Sequence, residues 1–395
     1  MNIRVSPGLF LLSLILIFGN SIFNLYGYTS LKYLFIGGGH LILGLLYLYH
    51  AGSSGLENFM KGFIAIMVLV PFVALSYFRN HFVFDIVNLY LFTSAVIFFL
   101  TGMVIQGKYL EFTDAKTELL VSLFYATLFL LCLLKINQIS VYDVSRNFDN
   151  YGLHPVGVAI SFGFLCQVAT FKAIHGQRWT RIVWTVAALE AFLIVFSTGS
   201  RGALVSLVLI NFILLFKYVG RLRVIASVAG LTVVSTLVIY FAYDFLSTIP
   251  FFDRIILAID RAKLTFASVG FGYIDLSGRL DIWDYYARSV GDWMLFGESG
   301  YVPYPHNSIL EIFVRFGLLG FLPFIVLLFS IVRALIGLFS RNLVTVFMAQ
   351  LLVLDFLISL VNGSLEIHRL MFLGIGYFVS TSISKRRSSP KYSGT

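Results

Sequence analysis

The chain has 395 residues, of which 59% are hydrophobic, 17% aromatic and only 12% charged. Soluble domains carry about 25% charged residues, so this composition excludes a soluble globule and predicts an all-α integral membrane protein. The net charge of +9 is typical of a membrane protein with basic cytoplasmic loops, and it does not indicate nucleic-acid binding. The two cysteines, both inside apolar runs, exclude a disulfide framework, a zinc finger and an iron–sulfur site.

Twelve apolar runs are long enough to cross a membrane as helices. The first follows Arg4 as in a signal peptide, but it lacks a small-residue cleavage site, so we expect it to stay as the first transmembrane helix. The predicted spans are residues 8–24, 31–50, 61–78, 84–101, 119–136, 153–172, 181–197, 202–218, 223–243, 318–338, 343–361 and 366–384. They divide the chain into nine spans in 1–243, a long loop at 244–317, three spans in 318–384 and a tail at 385–395.

Positive charge predicts the orientation of these spans. Sixteen Lys and Arg residues lie in the loops on the same side as the two termini, and six lie in the short loops on the opposite side. Because basic residues collect in cytoplasmic loops, both termini are predicted to be cytoplasmic. The loop at 244–317 is then on the outer face, between the ninth and tenth spans, and a loop of that length is usually functional.

The long loop contains one stretch with helical periodicity. Within Ser277–Arg288, the apolar residues Leu280, Trp283, Tyr286 and Ala287 recur at the spacing of one helical face, while charged residues occupy the other faces. The stretch predicts a short amphipathic helix that lies at the membrane interface.

Several catalytic and nucleotide-binding motifs are missing. The sequence has no phosphate-binding loop, no H-E-x-x-H, no C-x-x-C, no G-x-S-x-G and no D-x-D. ATP-driven transport, metalloproteolysis and transfer from a cytoplasmic nucleotide sugar are therefore disfavoured. No metal site and no cofactor are predicted.

Ser200 and Arg201 mark the first candidate site, where one predicted span ends and the next begins. A glycine-bounded turn leaves the first amides of the following helix free, and these amides together with a guanidinium form an anion site that fits a diphosphate. An Arg at a helix end also commonly extends to lipid headgroups, which is the alternative for Arg201.

Arg279, at the start of the amphipathic helix, is a candidate second guanidinium for the same anion. Arginine binds phosphate bidentately, so two of them would hold both phosphates of a lipid diphosphate. The alternative is a solvated residue that pairs with Asp281 or Asp284.

The segment that begins at His306 is the most informative. Histidine is the usual general base for activating a hydroxyl near neutral pH. Asn307, Glu311 and Arg315 follow at four-residue intervals and form a polar stripe on an otherwise apolar helix, with the Glu–Arg pair in its favourable order. Polar groups near lipid face protein or a cavity, so the stripe predicts a functional site. The alternative for His306 alone is a structural histidine at the interface.

Five further polar residues are weaker candidates. Arg146, His368 and Arg369 are predicted on the outer face, where they would add positive charge to the site. Glu190 and Asp355 lie inside predicted spans, and we expect them to pair with basic residues or to hydrogen-bond within the helix bundle.

Three motifs, in this order, resemble the bacterial O-antigen polymerase and O-antigen ligase superfamily of multi-span envelope glycosyltransferases. Ser200-Arg201 is similar to the family's Ser-Arg at a helix start, and residues 277–283 are similar to its Ser-Gly-Arg-x-x-x-Trp. The family pattern of His, then Asn, Ser or Gln, nine residues, Gly, two residues and Gly is met by His306-Asn307, Gly317 and Gly320.

The resemblance, which covers about residues 195–320, implies an inverting transfer of a glycan from undecaprenyl diphosphate to a hydroxyl of an acceptor glycan, without a metal ion. Arg201 and Arg279 would hold the donor diphosphate, which is also the leaving group, and His306 would deprotonate the acceptor hydroxyl. Fixed guanidinium charges would replace a divalent ion at the departing diphosphate. The residues expected to bind substrate are Ser200, Asn307, Glu311, Arg315 and Arg146.

The resemblance also implies where the protein acts and with which molecules. It places the chain in the bacterial inner membrane, with a periplasmic active site to which the long loop contributes. The implied partners are an undecaprenyl-diphosphate-linked oligosaccharide, the acceptor glycan, membrane lipid and a chain-length regulator protein.

Both a polymerase, whose acceptor is a single lipid-linked repeat unit, and a ligase, whose acceptor is the lipid A core, share these motifs. The compact stretch of 26 residues between Arg279 and His306, and the sequence His-Asn-Ser-x-Leu-Glu, favour the polymerase. A multi-span transporter or flippase is the alternative of another class. Transporters usually have a central cytoplasmic loop and polar residues near mid-membrane, and this sequence predicts neither.

Overall fold

The computed structural model describes residues 96, 98–100, 102–103, 115–138, 155–175, 178–198, 200–219, 279–295, 297, 305–360 and 368–387. Every regular element within these ranges is a helix, in agreement with the all-α prediction. The described residues belong to two compact units. We name them the central unit, residues 115–219, and the C-terminal unit, which combines residues 96–103 with residues 279–387.

The central unit consists of four apolar helices. They are α1 (Ala115–Gln138), α2 (Pro155–His175), α3 (Arg178–Ser197) and α4 (Arg201–Val219). Helix α3 packs on α1 and α2, and α2 also packs on α4. Buried aromatic rings fill the contact between α1 and α3, where the ring centroids of Tyr125 and Trp184 are 5.5 Å apart. Each helix matches a predicted span to within about one helical turn at either end.

Both cysteines are buried in the central unit. Cys132 on α1 and Cys166 on α2 are free thiols with 0% and 2% of their surface exposed. The thiol of Cys166 donates to the carbonyl of Ala188 on α3 over 3.4 Å. Both therefore pack as small apolar side chains.

The C-terminal unit combines short helices from the long loop with three long helices. The short helices are α5 (Arg279–Arg288), α6 (Val290–Trp293) and α7 (Ser308–Phe316), and a 3-10 turn, Gly317–Gly320, follows α7. The long helices are α8 (Phe321–Gly337), α9 (Leu343–Ser359) and α10 (Arg369–Arg387). Each of the three long helices packs on the other two. They correspond to the last three predicted spans, and α5 is the predicted amphipathic helix.

Two helices in the described part of the chain are long and apolar enough to cross a membrane. The qualifying segments are Val158–His175 of α2 and Trp179–Phe196 of α3, and α4, α8 and α9 are shorter apolar helices. Helix α8 leaves large apolar side chains exposed along its length, among them Phe321, Ile325 and Phe329. The predicted spans at 8–24, 31–50, 61–78 and 223–243 lie outside the described residues, and 84–101 is described only near its end, where residues 98–100 are helical.

Candidate active site

Helix α7 begins with a side-chain cap. Asn307 precedes the helix in an extended backbone conformation, and its Oδ1 accepts hydrogen bonds of 3.0 Å from the amides of Ile309 and Leu310. Asparagine is preferred at this position because its short side chain satisfies amides that have no partner within the helix. Asn307 therefore fixes the start of α7 at Ser308, two residues after His306.

The start of α7 is also bound to the end of α9. The Nδ2 of Asn307 donates to the carbonyl of Leu360 over 3.2 Å, and the hydroxyl of buried Ser308 donates to the carbonyl of Ser359 over 3.0 Å. Carbonyls in the last turn of a helix lack partners within it, so they are free to accept such bonds. Neither contact was predicted, because 53 and 51 residues separate the partners along the chain.

Helix α5 supports the other side of His306. The indole Nε1 of Trp283 donates to the carbonyl of Pro305, the residue before His306, over 2.8 Å. Helices α5, α6 and α7 also share an apolar cluster, whose buried members are Tyr286, Trp293 and Val314.

The buried face of α5 differs from the prediction. Ala287 was expected on the apolar face, but it is exposed, and Ile282 packs against the cluster instead. Trp293 of α6 extends the buried face that Ile282 and Tyr286 form on α5.

His306 has a left-handed backbone conformation with φ of 52°, and among the described residues it is the only one other than glycine with a positive φ. Its side chain is half-buried. This conformation is uncommon for a residue with a Cβ atom, although histidine adopts it more often than most. The hydrogen bonds of Pro305 and Asn307 hold the backbone on both sides of it. Backbone outliers of this kind cluster at functional sites.

Glu311 and Arg315 form an ion pair one helical turn apart, with Oε1 2.5 Å from Nη2. This pair confirms the prediction from their spacing. The side chain of Glu311 is 1% exposed and that of Arg315 is 32% exposed. Burial of a carboxylate is unfavourable unless a cation compensates it, and Arg315 provides that charge while it reaches the protein surface.

The His306 motif contains two glycines. Gly317 follows the last residue of α7, and Gly320 ends the 3-10 turn before α8. Gly317 has a φ of 58°, a conformation that strains residues with side chains. At Gly320, a Cβ atom would lie 2.7 Å from the carbonyl oxygen of Ile312, so the backbones approach too closely for a larger residue. Both positions therefore require glycine, for two different physical reasons.

The structure places the predicted arginines at helix starts. Arg279 is the first residue of α5 and lies one helical turn before Trp283. Arg201 is the first residue of α4, and the carbonyl of Ser200 accepts the Leu204 amide over 3.0 Å. Arg201 and Arg279 are described by their backbones alone, and Arg146 lies outside the described residues. Ser200 and Arg201 belong to the central unit, whereas Arg279 belongs to the C-terminal unit.

A second polar pair lies near the same end of α9. The Nδ1 of His368 is 2.7 Å from Oδ1 of Asp355, and the other carboxylate oxygen of Asp355 accepts the amide of Met371 over 2.8 Å. The side chains of Asp355 and His368 are 1% and 0% exposed. The prediction that Asp355 pairs within the bundle is confirmed. His368 was expected to add charge to the site, but it is buried against Asp355 because it precedes α10 directly and faces α9.

Comparisons of the chain with protein-family models, with curated proteins and with solved structures found no match. The function is therefore inferred from the residues and the geometry described above.

Proposed function

We propose that the protein is a membrane glycosyltransferase of the O-antigen polymerase type, which transfers a glycan from undecaprenyl diphosphate to a hydroxyl of a lipid-linked repeat unit. The observation that carries the proposal is the fixed position of His306. The carbonyl of Pro305, just before it, accepts a hydrogen bond from Trp283. The side chain of Asn307, just after it, donates to the carbonyl of Leu360. A general base needs such a fixed position relative to the proton that it accepts.

In the proposed reaction, His306 accepts the proton of the acceptor hydroxyl while the hydroxyl oxygen attacks the anomeric carbon of the donor sugar. The bond from that carbon to the diphosphate oxygen breaks, and undecaprenyl diphosphate leaves with the bonding electrons. Attack opposite the leaving group inverts the anomeric configuration. We assign Arg279 to the diphosphate, whose growing negative charge a guanidinium stabilises through paired hydrogen bonds. The same role stays a prediction for Arg201, which belongs to the central unit.

The other polar residues of α7 receive different roles. Asn307 uses both ends of its amide within the protein, so we assign it to positioning His306. Glu311 is buried, and we assign it to orienting Arg315. Arg315 is one third exposed and is the member of this pair that we expect to contact the acceptor glycan.

We further propose that the chain crosses the bacterial inner membrane about twelve times, with cytoplasmic termini and with α5–α7 on the periplasmic side. The low charge content, the two helices long enough to span a bilayer and the exposed apolar side chains of α8 support this arrangement. The polyprenyl chain of the donor would then remain in lipid while its diphosphate reacts at the membrane surface.

The test uses a strain that lacks this gene and carries the wild type, His306→Asn or Arg288→Ala, with silver-stained envelope polysaccharide as the readout. Asparagine tolerates the left-handed backbone better than alanine, so His306→Asn removes the base with little change of the backbone. Arg288 is the matched control, since its exposed side chain pairs with Asp284 on the surface of α5.

We expect the deletion and His306→Asn to leave lipid A core capped with a single repeat unit, and Arg288→Ala to restore the polymer ladder. A normal ladder with His306→Asn would remove His306 as the base. Bare core together with accumulated lipid-linked polymer would identify the ligase instead. A ladder unchanged by the deletion would contradict both transferases for this polysaccharide and leave the transporter, or transfer to another envelope glycan, as the alternatives.

A further inference from the structure

The C-terminal end of α9 contacts two other helices. The carbonyls of Ser359 and Leu360 accept hydrogen bonds from Ser308 and Asn307 at the start of α7. One turn earlier on α9, the carboxylate of Asp355 contacts His368 and the Met371 amide at the start of α10. Asn307 and Ser308, which follow His306, are thus bound to the end of α9, and this end of α9 is itself hydrogen-bonded to the start of α10.

We propose that the buried pair of Asp355 and His368 is a positioning device for His306. The pair joins the end of α9 to the start of α10. It thereby fixes the carbonyls of Ser359 and Leu360, which accept the hydrogen bonds of Ser308 and Asn307. Asp355 and His368 are positioning residues in this role, since they act through α9 and α7. The effect on transfer rests on the proposed function, whereas the effect on the backbone of residues 305–316 does not.

Burial explains how the pair fixes the end of α9 and the start of α10. Both side chains are almost fully removed from solvent, so water cannot replace either partner if the contact is lost. Asp355 also accepts the Met371 amide, one of the amides that would otherwise lack a partner at a helix start. A single carboxylate therefore sets both the start of α10 and the end of α9.

The same two helices carry a second contact that provides a matched control. At the opposite end of α9, the hydroxyls of Thr345 and Tyr377 are 2.9 Å apart, which also joins α9 to α10. Loss of this hydrogen bond weakens the same helix pair far from Ser359 and Leu360. Thr345→Val removes it with little change in side-chain shape.

The experiment measures amide hydrogen exchange by mass spectrometry on the full-length protein in lipid nanodiscs. We expect peptides covering residues 305–316 to exchange about tenfold faster in Asp355→Asn and in His368→Gln than in the wild type. Peptides in the middle of α8 and at the start of α9 should be unchanged. Thr345→Val should leave residues 305–316 at the wild-type rate.

Transfer kinetics on the same preparations give the functional readout. We expect kcat to fall about tenfold in Asp355→Asn and His368→Gln with little change in KM, because a displaced base slows the reaction without removing a substrate contact. An unchanged kcat together with faster exchange at residues 305–316 would overturn the catalytic part of the inference. If the wild type shows no transfer, the proposed function fails, and the exchange data still decide whether the pair positions the loop.

Three results would contradict the proposal that the Asp355–His368 pair positions residues 305–316. The first is an unchanged exchange rate at residues 305–316 in both variants. The second is a uniform rise across the C-terminal unit, or an equal rise in Thr345→Val, since either would indicate a general loss of stability. The third is failure of both variants to accumulate while Thr345→Val accumulates, which would make the pair a requirement for folding rather than a positioning device.

Discussion

The indole nitrogen of Trp283 lies 2.8 Å from the carbonyl oxygen of Pro305, so a helix of the long loop directly supports the residue before His306. The two residues are 22 positions apart in the sequence. This hydrogen bond joins the motif that contains Arg279 to the motif that contains His306. The spacing within the first motif therefore has a structural reason, because its Trp must reach the His306 turn from α5.

Removal of this hydrogen bond should impair transfer more than it impairs folding. We expect Trp283→Phe to lower the transfer rate about tenfold, because the turn at His306 loses one of its two anchors. The free energy of unfolding should fall by about 1 kcal/mol, the usual net contribution of one hydrogen bond. Initial rates and denaturant unfolding of the purified protein measure the two effects.

Trp293 provides the control for this variant. Its indole also donates to a backbone carbonyl over 3.0 Å, but the acceptor is Tyr286 and not Pro305. Trp293→Phe should lower the free energy of unfolding by a similar amount or more, since Trp293 is buried, and should largely preserve the transfer rate. Equal transfer rates in Trp283→Phe and Trp293→Phe would contradict the anchoring role of Trp283.

A side chain at Gly320 should destabilise the C-terminal unit. The Cβ atom in Gly320→Ala would meet the backbone oxygen of Ile312 at 2.7 Å, so α7 and the 3-10 turn must move apart. Forced shifts of this kind typically cost about 1–3 kcal/mol. Gly291→Ala is the control, because nothing lies within 4 Å of the added Cβ atom and Gly291 is in a helix. We expect thermal unfolding to show a lower Tm for Gly320→Ala and an unchanged or slightly higher Tm for Gly291→Ala.

The ion pair of Glu311 and Arg315 should respond asymmetrically to the loss of either partner. Arg315→Met leaves a buried carboxylate without its cation, which should cost about 3 kcal/mol or more of stability. Glu311→Gln leaves an arginine that is 32% exposed and can be hydrated, so we expect a smaller loss. Denaturant unfolding of both variants tests this order, and a larger loss in Glu311→Gln would contradict it.

Asp284 and Arg288 form the matched pair for this comparison. They have the same i,i+4 spacing and an oxygen-to-nitrogen distance of 2.6 Å, but their side chains are 55% and 80% exposed. Exposed pairs of this kind contribute about 0.3–0.5 kcal/mol. Asp284→Asn should therefore leave the free energy of unfolding almost unchanged.

Replacement of Asn307 by Asp should separate its two roles. The carboxylate can still accept from the amides of Ile309 and Leu310, but it cannot donate to Leu360 and would face that carbonyl with a negative charge. We expect Asn307→Asp to lower the free energy of unfolding by about 1–3 kcal/mol and to slow transfer. Urea unfolding and initial rates are the measurements.

Asn342 is the control for this substitution, because it caps a helix but does not have the second role of Asn307. It caps α9 by accepting from the amides of Val344 and Thr345, and it is exposed. Asn342→Asp should be neutral or stabilising by about 0.3–1 kcal/mol, because a negative charge is favourable at a helix start. A comparable loss of stability in Asn342→Asp and Asn307→Asp would argue against the importance of the bond to Leu360.

Features that depend on nearby residues were predictable from the sequence. The apolar runs predicted the positions of α1–α4 and α8–α10 because helix length and hydrophobicity are local properties. The spacing of Glu311 and Arg315 predicted their ion pair for the same reason. The amphipathic pattern predicted α5, although Ala287 is exposed and Ile282 packs against the apolar cluster instead.

The contacts that fix the candidate site were not predictable in this way. The hydrogen bonds from Trp283 to Pro305 and from Ser308 to Ser359 join residues that only the tertiary fold brings together. The left-handed conformation of His306 also has no sequence signal, since histidine usually adopts other conformations and the neighbouring hydrogen bonds impose this one. The role of Arg201 in holding the diphosphate stays a prediction.

The burial of both native thiols makes the natural chain a suitable background for site-directed chemical labelling. Water-soluble maleimides have little access to Cys132 and Cys166, so one new cysteine at an exposed position would carry most of the signal. Asp284→Cys on α5 should be labelled by an impermeant maleimide in intact spheroplasts, whereas Arg341→Cys, exposed between α8 and α9, should be labelled only after lysis. The orientation of the C-terminal unit can thus be read without replacing either native cysteine.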